Sequence, residues 1–391
     1  MLRSAALHTY ELDDVDAAVT EIRAGLEAFP LMEHSVGVIM CDPEYIESGV
    51  YGAVCAALPF PVAGATTLTQ AVDGAAGILM LTVLVLTGDD VFFSVAMTEE
   101  IAPDNDVLTP TRACLEDALG RLPSEPKLIL AFPPIIAENA GDAYVEAFAE
   151  ICPGVPIFGT LAASDSIRFD NCSALCNGSA SLAKMSFIAV AGAIEPRFAI
   201  ATVGDRNKTP YSGEITRSEK NVIHEINGVS TYEYFESIGL AKDDSLDEGL
   251  QFVPVLIDFK KRDDYDGIPV VRAIVGLNDS GGAICRGYMH QDSVFTVVSP
   301  TQDDILKSSG ELLDKLLLLH DRRATLIFSC VVRRMMLGTE PLLEASMIEE
   351  RLRGGPTFML GYAGGEICPT SVREKGATNR FHNYSIIACI L

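Results

Sequence analysis

Apolar residues recur along this chain with two periods, and their alternation sets out its elements. Val15, Val19, Ile22 and Leu26 are spaced by three and four behind the acidic run at 11–14, which predicts an amphipathic helix. The run HSVGVIMC then reads as a buried strand, residues 45–58 as a helix, and PVAGATT as a second strand ending near Gly64. The same order returns in PKLILAFPP, a helix at 143–151, and VPIFGTLAASD. It returns once more in ATLIFSCVVRR, a helix at 341–352, and TFMLGYAGGE. Three copies of strand, helix, strand and glycine indicate repeated β-α-β units.

Each of the first two units is followed by hairpin-like strands, so the sheets are not purely parallel. Residues 78–87 and 91–97 flank Gly88-Asp89-Asp90, and residues 172–176 and 185–191 flank a turn at Gly178. Four more strands follow one another between 251 and 299, separated by KKRDDYDG and NDSGG. Thr301 with Asp304 three residues on predicts a capped helix whose buried stripe is Leu312, Leu313, Leu316 and Leu319. Thr109 reads as a cap before Pro110, and Pro341 as a first-turn proline. The expected fold is α+β: mixed, largely antiparallel sheets flanked by helices in a layered sandwich, with repeated β-α-β-β units in two interlocked lobes. The polar loop at 204–212 sets the boundary, giving parts 1–203 and 204–391. The apolar run at 386–391 predicts a C-terminal strand, 382–391, internal to a sheet.

Charge narrows the function. Against 29 Lys and Arg stand 54 Asp and Glu, a balance of −25, which repels phosphate backbones and anionic lipid. Nucleic acid is therefore not an expected partner. Ten cysteines contain no C-x-x-C pair and lie mostly in apolar runs, which argues against a disulfide framework or zinc site and for a reducing cytoplasm. The longest apolar run, 77–87, is about half of the ~20 residues a membrane span needs. GYAGGE opens no helix, so a phosphate cradle is not expected.

The richest chemistry lies near the end. The strand 325–328 delivers Ser329, Cys330, Arg333 and Arg334, predicted to leave the core at its end, and Gly364 and Gly365 precede Glu366. A zwitterionic ligand needs a guanidinium for its carboxylate and a carboxylate for its ammonium, which Arg333 with Glu366 or Asp165 would supply. The plainer alternative is that Arg333 and Glu366 pair with each other and join two strand ends. Cys330 with His382 as base would instead suit an amidase or transferase, although buried cysteine is usually a small core residue.

Several stretches resemble the FIST domain (F-box and intracellular signal transduction), which has N-terminal and C-terminal parts. FSCVVR is similar to F-S-C-x-G-R, GYAGGEICP to G-x-x-x-x-G-E-I-x-P, and FHNYS to a closing h-N-x-T. FGTLAASD resembles F-G-G-x-A-x-D, and EITRSEKNVIHEING resembles V-T-x-x-x-x-N-x-V-x-E-h-x-G. Val332 and Thr160 replace pattern glycines, VGD at 203–205 stands where members carry H-G, and the run from Gly361 to Glu366 is one residue short. The resemblance implies a sensor of small, amino-acid-like ligands, and it marks Asp165, Cys330, Arg333, Gly361, Glu366 and Asn383 as ligand-binding. It also implies a separate signalling protein as partner, because no F-box, kinase or chemoreceptor output is visible in the sequence. Some relatives bind haem through histidine, for which His224, His290 and His382 are the candidates.

Overall fold

Each of the three repeats folds around a pair of parallel strands joined through helical structure. The pairs are His34–Cys41 with Val62–Thr66, Pro126–Phe132 with Ile157–Thr160, and Thr325–Cys330 with Phe358–Ala363. All are buried along nearly their whole length, which is why they read as continuous apolar runs rather than alternating ones. An antiparallel strand closes each pair: Leu81–Gly88, Ser186–Gly192 and Ser385–Ile390. An outer strand completes each unit: Arg3–Thr9, Val91–Met97 and Arg197–Thr202. The computed structural model describes residues 2–102, 106–136, 139–166, 170–240, 252–260, 266–319, 323–373 and 376–391.

The last two strands of every six-stranded sheet come from a different repeat. The hairpin Gln70–Val72 and Ala75–Gly77 of the first unit joins the sheet of the third; Ala174–Cys176 and Ser179–Ser181 of the second join the first; Glu366–Arg373 and Gly376–His382 of the third join the second. Each incoming hairpin covers an edge that would otherwise be unpaired. It docks opposite the same repeat glycine: Leu175 faces Gly64, Ile367 faces Gly159 and Gln70 faces Gly361. A Cβ on Gly64 would lie 1.7 Å from the Ile39 oxygen, and one on Gly159 1.9 Å from that of Ala131, so the close strand approach admits only glycine. At the centre of the molecule Phe158 stacks on Phe328 with centroids 5.2 Å apart, and Phe132 meets the same ring edge-on.

Between the third unit's outer strand and the helix Gln302–Leu317 lies a seven-stranded antiparallel sheet. It runs from Lys208–Glu219 to Val294–Val298 in sequence and contains the four strands expected at 251–299. The Thr301 and Asp304 capping box and the buried Leu312, Leu313 and Leu316 are as expected. The C-terminal strand is internal, between Arg197–Thr202 and Thr325–Cys330, but it spans Ser385–Ile390, and His382 instead ends the preceding strand Gly376–His382. Gln251 and most of the KKRDDYDG turn lie outside the described residues.

Several local expectations are corrected. The turn at 88–90 joins strands of two different sheets, and Ala174–Cys176 pairs with Ser179–Ser181 rather than with the strand after it. The helix expected at 45–58 is two, Glu44–Glu47 and Val50–Ala57, because Gly49 adopts φ +83°. Thr109 is no cap: the helix Leu108–Gly120 begins earlier, and Asp106 accepts a hydrogen bond from the Thr109 N–H. Pro341 precedes the helix Leu343–Leu352 rather than entering its first turn.

Candidate functional site

The largest departure follows the strand Thr325–Cys330. It runs directly into a short helix, Val331–Met336, which turns Arg333 back into the core instead of out of it. The Arg333 Nε donates to Ser329 Oγ at 3.1 Å. Nη1 donates to Ser308 Oγ at 3.0 Å and the Tyr384 carbonyl at 3.4 Å. Nη2 donates to the Ile305 carbonyl at 3.1 Å, Ser309 Oγ at 2.7 Å and Glu344 Oε1 at 2.5 Å. Every guanidinium nitrogen is thus satisfied inside the protein. Glu344 in turn accepts from Ser309, from Ser329 at 2.9 Å and from the Tyr362 hydroxyl at 2.6 Å. Burial pushes the Glu344 carboxyl up, but Arg333 and these hydroxyls outweigh it and hold it below the usual range. The ion partner of Arg333 is therefore Glu344, not Glu366, and neither of the two is exposed at all.

Glu366 is equally buried and chemically opposite. One oxygen accepts from Ser385 at 2.6 Å while Oε1 has no hydrogen-bond partner among the described residues. Burial drives its carboxyl well above the ordinary range despite Ser385, Arg333 and Cys330, which favours its neutral form. Cys330 lies against it, and burial, reinforced by Glu366, pushes the thiol up too, which keeps it from being a thiolate nucleophile. His382 reaches the Cys368 carbonyl through Nε2 at 3.2 Å, and burial lowers its pKa to about 3. Asn383 ties the turn after the exchanged hairpin to the inserted sheet, accepting from the Ala273 N–H at 3.3 Å and donating its own N–H to Val271 at 3.2 Å. A Cβ on Gly361 would meet Met40 Sδ at 2.5 Å, which makes Gly361 a packing glycine. His290 is half-buried against Phe259 and Tyr288, and His224 is half-buried on the strand Val222–Ile226.

Asp165 lies elsewhere, exposed at the surface, and its neighbourhood is the one sequence reasoning missed. The carboxyl ends of the repeat strands are stitched together there: Thr67 N–H to the Cys41 carbonyl, Ala163 N–H to Thr66, and Tyr362 N–H to Thr69. Asp42 follows the leading strand of the first pair, Asp165 the second strand of the second pair, and Arg334 the leading strand of the third, so each repeat brings one charged side chain to these ends. Carboxyl ends of parallel strands are where α/β sheets commonly place ligand groups. Half-buried Arg334 donates from Nε to Thr69 Oγ1 at 2.8 Å, its one hydrogen bond among the described residues. Burial pulls its pKa down while Tyr362, Asp165 and Asp42 push it up. Burial lifts the Asp42 carboxyl to about 6, aided by Glu44 and Asp165 and opposed by the Glu44 N–H and by Arg334. Arg334 was legible as one of two adjacent arginines; nothing in the sequence marked Asp42 beyond its place after a strand.

Polar groups gathered at strand ends of a repeated α+β scaffold accord with what the sequence comparisons show, a sensory domain in two parts. Residues 35–229 match the FIST N domain and residues 231–369 the FIST C domain, and the chain belongs to the FIST family of signal-transduction sensory domains. No curated protein sequence matches it. Fifteen chains of solved structures do, among them a cyanuric acid hydrolase from A. caulinodans, 13% identical over 100% of this chain and 99% of that one, with a TM-score of 0.30. Among the described residues no helix is long and apolar enough to cross a membrane. All ten cysteines are free, and no cluster of metal-ligating side chains occurs among the described residues.

Proposed function

We propose that the input of this FIST protein is a small amino-acid-like molecule held where Asp42, Asp165 and Arg334 converge, and that a separate signalling protein reads its occupancy. The observation that carries this reading is the state of Arg334: Thr69 fixes Nε, and the two Nη groups remain uncommitted among the described residues. A carboxylate is the natural acceptor for such a planar pair of donors. Asp42 and Asp165 then offer the anionic surroundings that an ammonium group requires. Arg333, Cys330, Glu366 and Asn383 support the site from within rather than touching the ligand, since the structure commits Arg333 to Glu344 and buries the other three. The test is a thermal-shift and calorimetric panel of amino acids and small carboxylates on wild type and Arg334→Ala. A hit at a hundredfold excess over Kd should stabilise the wild type by ~2.7 kcal/mol and leave Arg334→Ala unmoved. A panel without a hit, or a hit that Arg334→Ala retains, removes the reading.

A further inference from the structure

A cavity of about 420 Å³ opens at the seam between the inserted sheet and the third repeat, and none of Asp42, Asp165 and Arg334 lines it. Its walls include Tyr211, Val253 and Val297 from the inserted sheet, and its floor includes Phe252, Met336 and Tyr384. None of the described residues lining it is charged, in a chain where 21% of residues are. The volume lies in the range of small-molecule pockets.

The floor carries a second, independent observation. Phe252 and Tyr384 both adopt left-handed backbone, with φ of +63° and +55°, a conformation bulky side chains rarely enter. The two are joined, because the Tyr384 hydroxyl donates to the Phe252 carbonyl. Two strained aromatic residues held together across one cavity floor are the kind of backbone outlier that clusters at ligand sites. Tyr384 also closes the polar interior from above: its carbonyl accepts from Arg333, and the next residue, Ser385, donates to Glu366.

We propose that this seam cavity is a binding site for an uncharged, apolar small molecule of aromatic or branched-acyl type. Tyr211, which is 42% exposed, lines the cavity on its solvent-accessible side. A charged ligand would lose its hydration in the cavity without finding a counter-charge among the described lining residues.

The probe is N-phenyl-1-naphthylamine, a neutral dye that fluoresces in apolar surroundings, titrated into the full chain. Saturable one-to-one binding is expected, weakened at least tenfold by Val253→Trp, which fills part of the cavity, at unchanged melting temperature. Should Val253→Trp fail to fold, Tyr211→Ala on the exposed wall carries the same test. 1-Anilinonaphthalene-8-sulfonate, which adds a charge to the same rings, should bind at least tenfold more weakly than the neutral dye. No saturable binding, binding that neither substitution weakens, or equal binding of the charged dye overturns the proposal.

Discussion

Replacing Arg333 by alanine isolates the buried pair at the centre of the third repeat. The substitution leaves Glu344 with no cation and removes a donor from Ser308, Ser309, Ser329 and two backbone carbonyls. Breaking a buried ion pair from one side costs roughly 3–5 kcal/mol. Three hydroxyls still satisfy the Glu344 oxygens, which places the expected loss near the lower end, about 3 kcal/mol. The pH dependence gives a sharper signature. In the wild type the Glu344 carboxyl is held below its unfolded value, so its contribution to stability is present above that value and lost as pH falls through the folded one. Without Arg333, burial dominates and the folded value rises above the unfolded one, so the contribution is present at low pH and lost as pH climbs. The gap between wild type and Arg333→Ala should therefore widen from pH 5 to pH 8. Urea midpoints followed by circular dichroism at both pH values measure it, and adding Glu344→Gln should recover at least half of the loss at pH 8. A loss under about 1 kcal/mol at pH 8, or a gap that does not change with pH, would refute the reasoning.

Glu366→Gln replaces a carboxyl that burial pushes toward its neutral form by a neutral isostere. Because the folded carboxyl is raised, the wild type loses stability as pH rises through that value, and the variant should melt higher at pH 8 with the difference closing by pH 5; a variant that melts lower at pH 8 contradicts a neutral Glu366. Gly64→Ala and Gly159→Ala drive a Cβ into a strand carbonyl and should abolish soluble expression, whereas Gly52→Ala, in a helix with nothing within 4 Å, should stabilise by about 0.4–1 kcal/mol. Equal yields of the three would show that the repeat glycines are not close-approach positions. Haemin titration should give no saturating one-to-one Soret shift, since His382 is buried and bonded to the Cys368 carbonyl and His290 packs between rings. A shift lost on substituting a single histidine would identify haem as a ligand.

The repeats were legible because a parallel pair buried on both faces writes two apolar runs, and because each second strand carries a glycine at the same place, set against the neighbouring strand's carbonyl at Gly64 and Gly159 and against Met40 at Gly361. The exchange of hairpins left no such mark. Gln70–Val72, Ala174–Cys176 and Glu366–Arg373 look locally like strands waiting for a neighbour, and only the closed arrangement of three units decides which neighbour receives them. The same limit applied to chemistry. VVRRMM after a core strand reads as an exit from the core, yet residues 331–336 are helical, and successive helical residues point about 100° apart. Arg333 thus turns inward and Arg334 toward the strand ends. Glu344 sits in an ordinary charged helix, and only packing reveals that it is wholly buried.

The helix Val331–Met336 also connects the two proposed sites. Over six residues it holds Arg334 at the charged strand ends and Met336 at the seam cavity, while Arg333 between them is fastened to the helix Gln302–Leu317, to Glu344 and to Tyr384. Arg334 and Met336 are thus joined through one short helix to the same buried cluster. Two ligands that prefer different settings of this element must then alter each other's affinity by one and the same factor, whichever is added first. If the proposed strand-end site captures a molecule, the helix Val331–Met336 is an element through which that binding would register at the cavity.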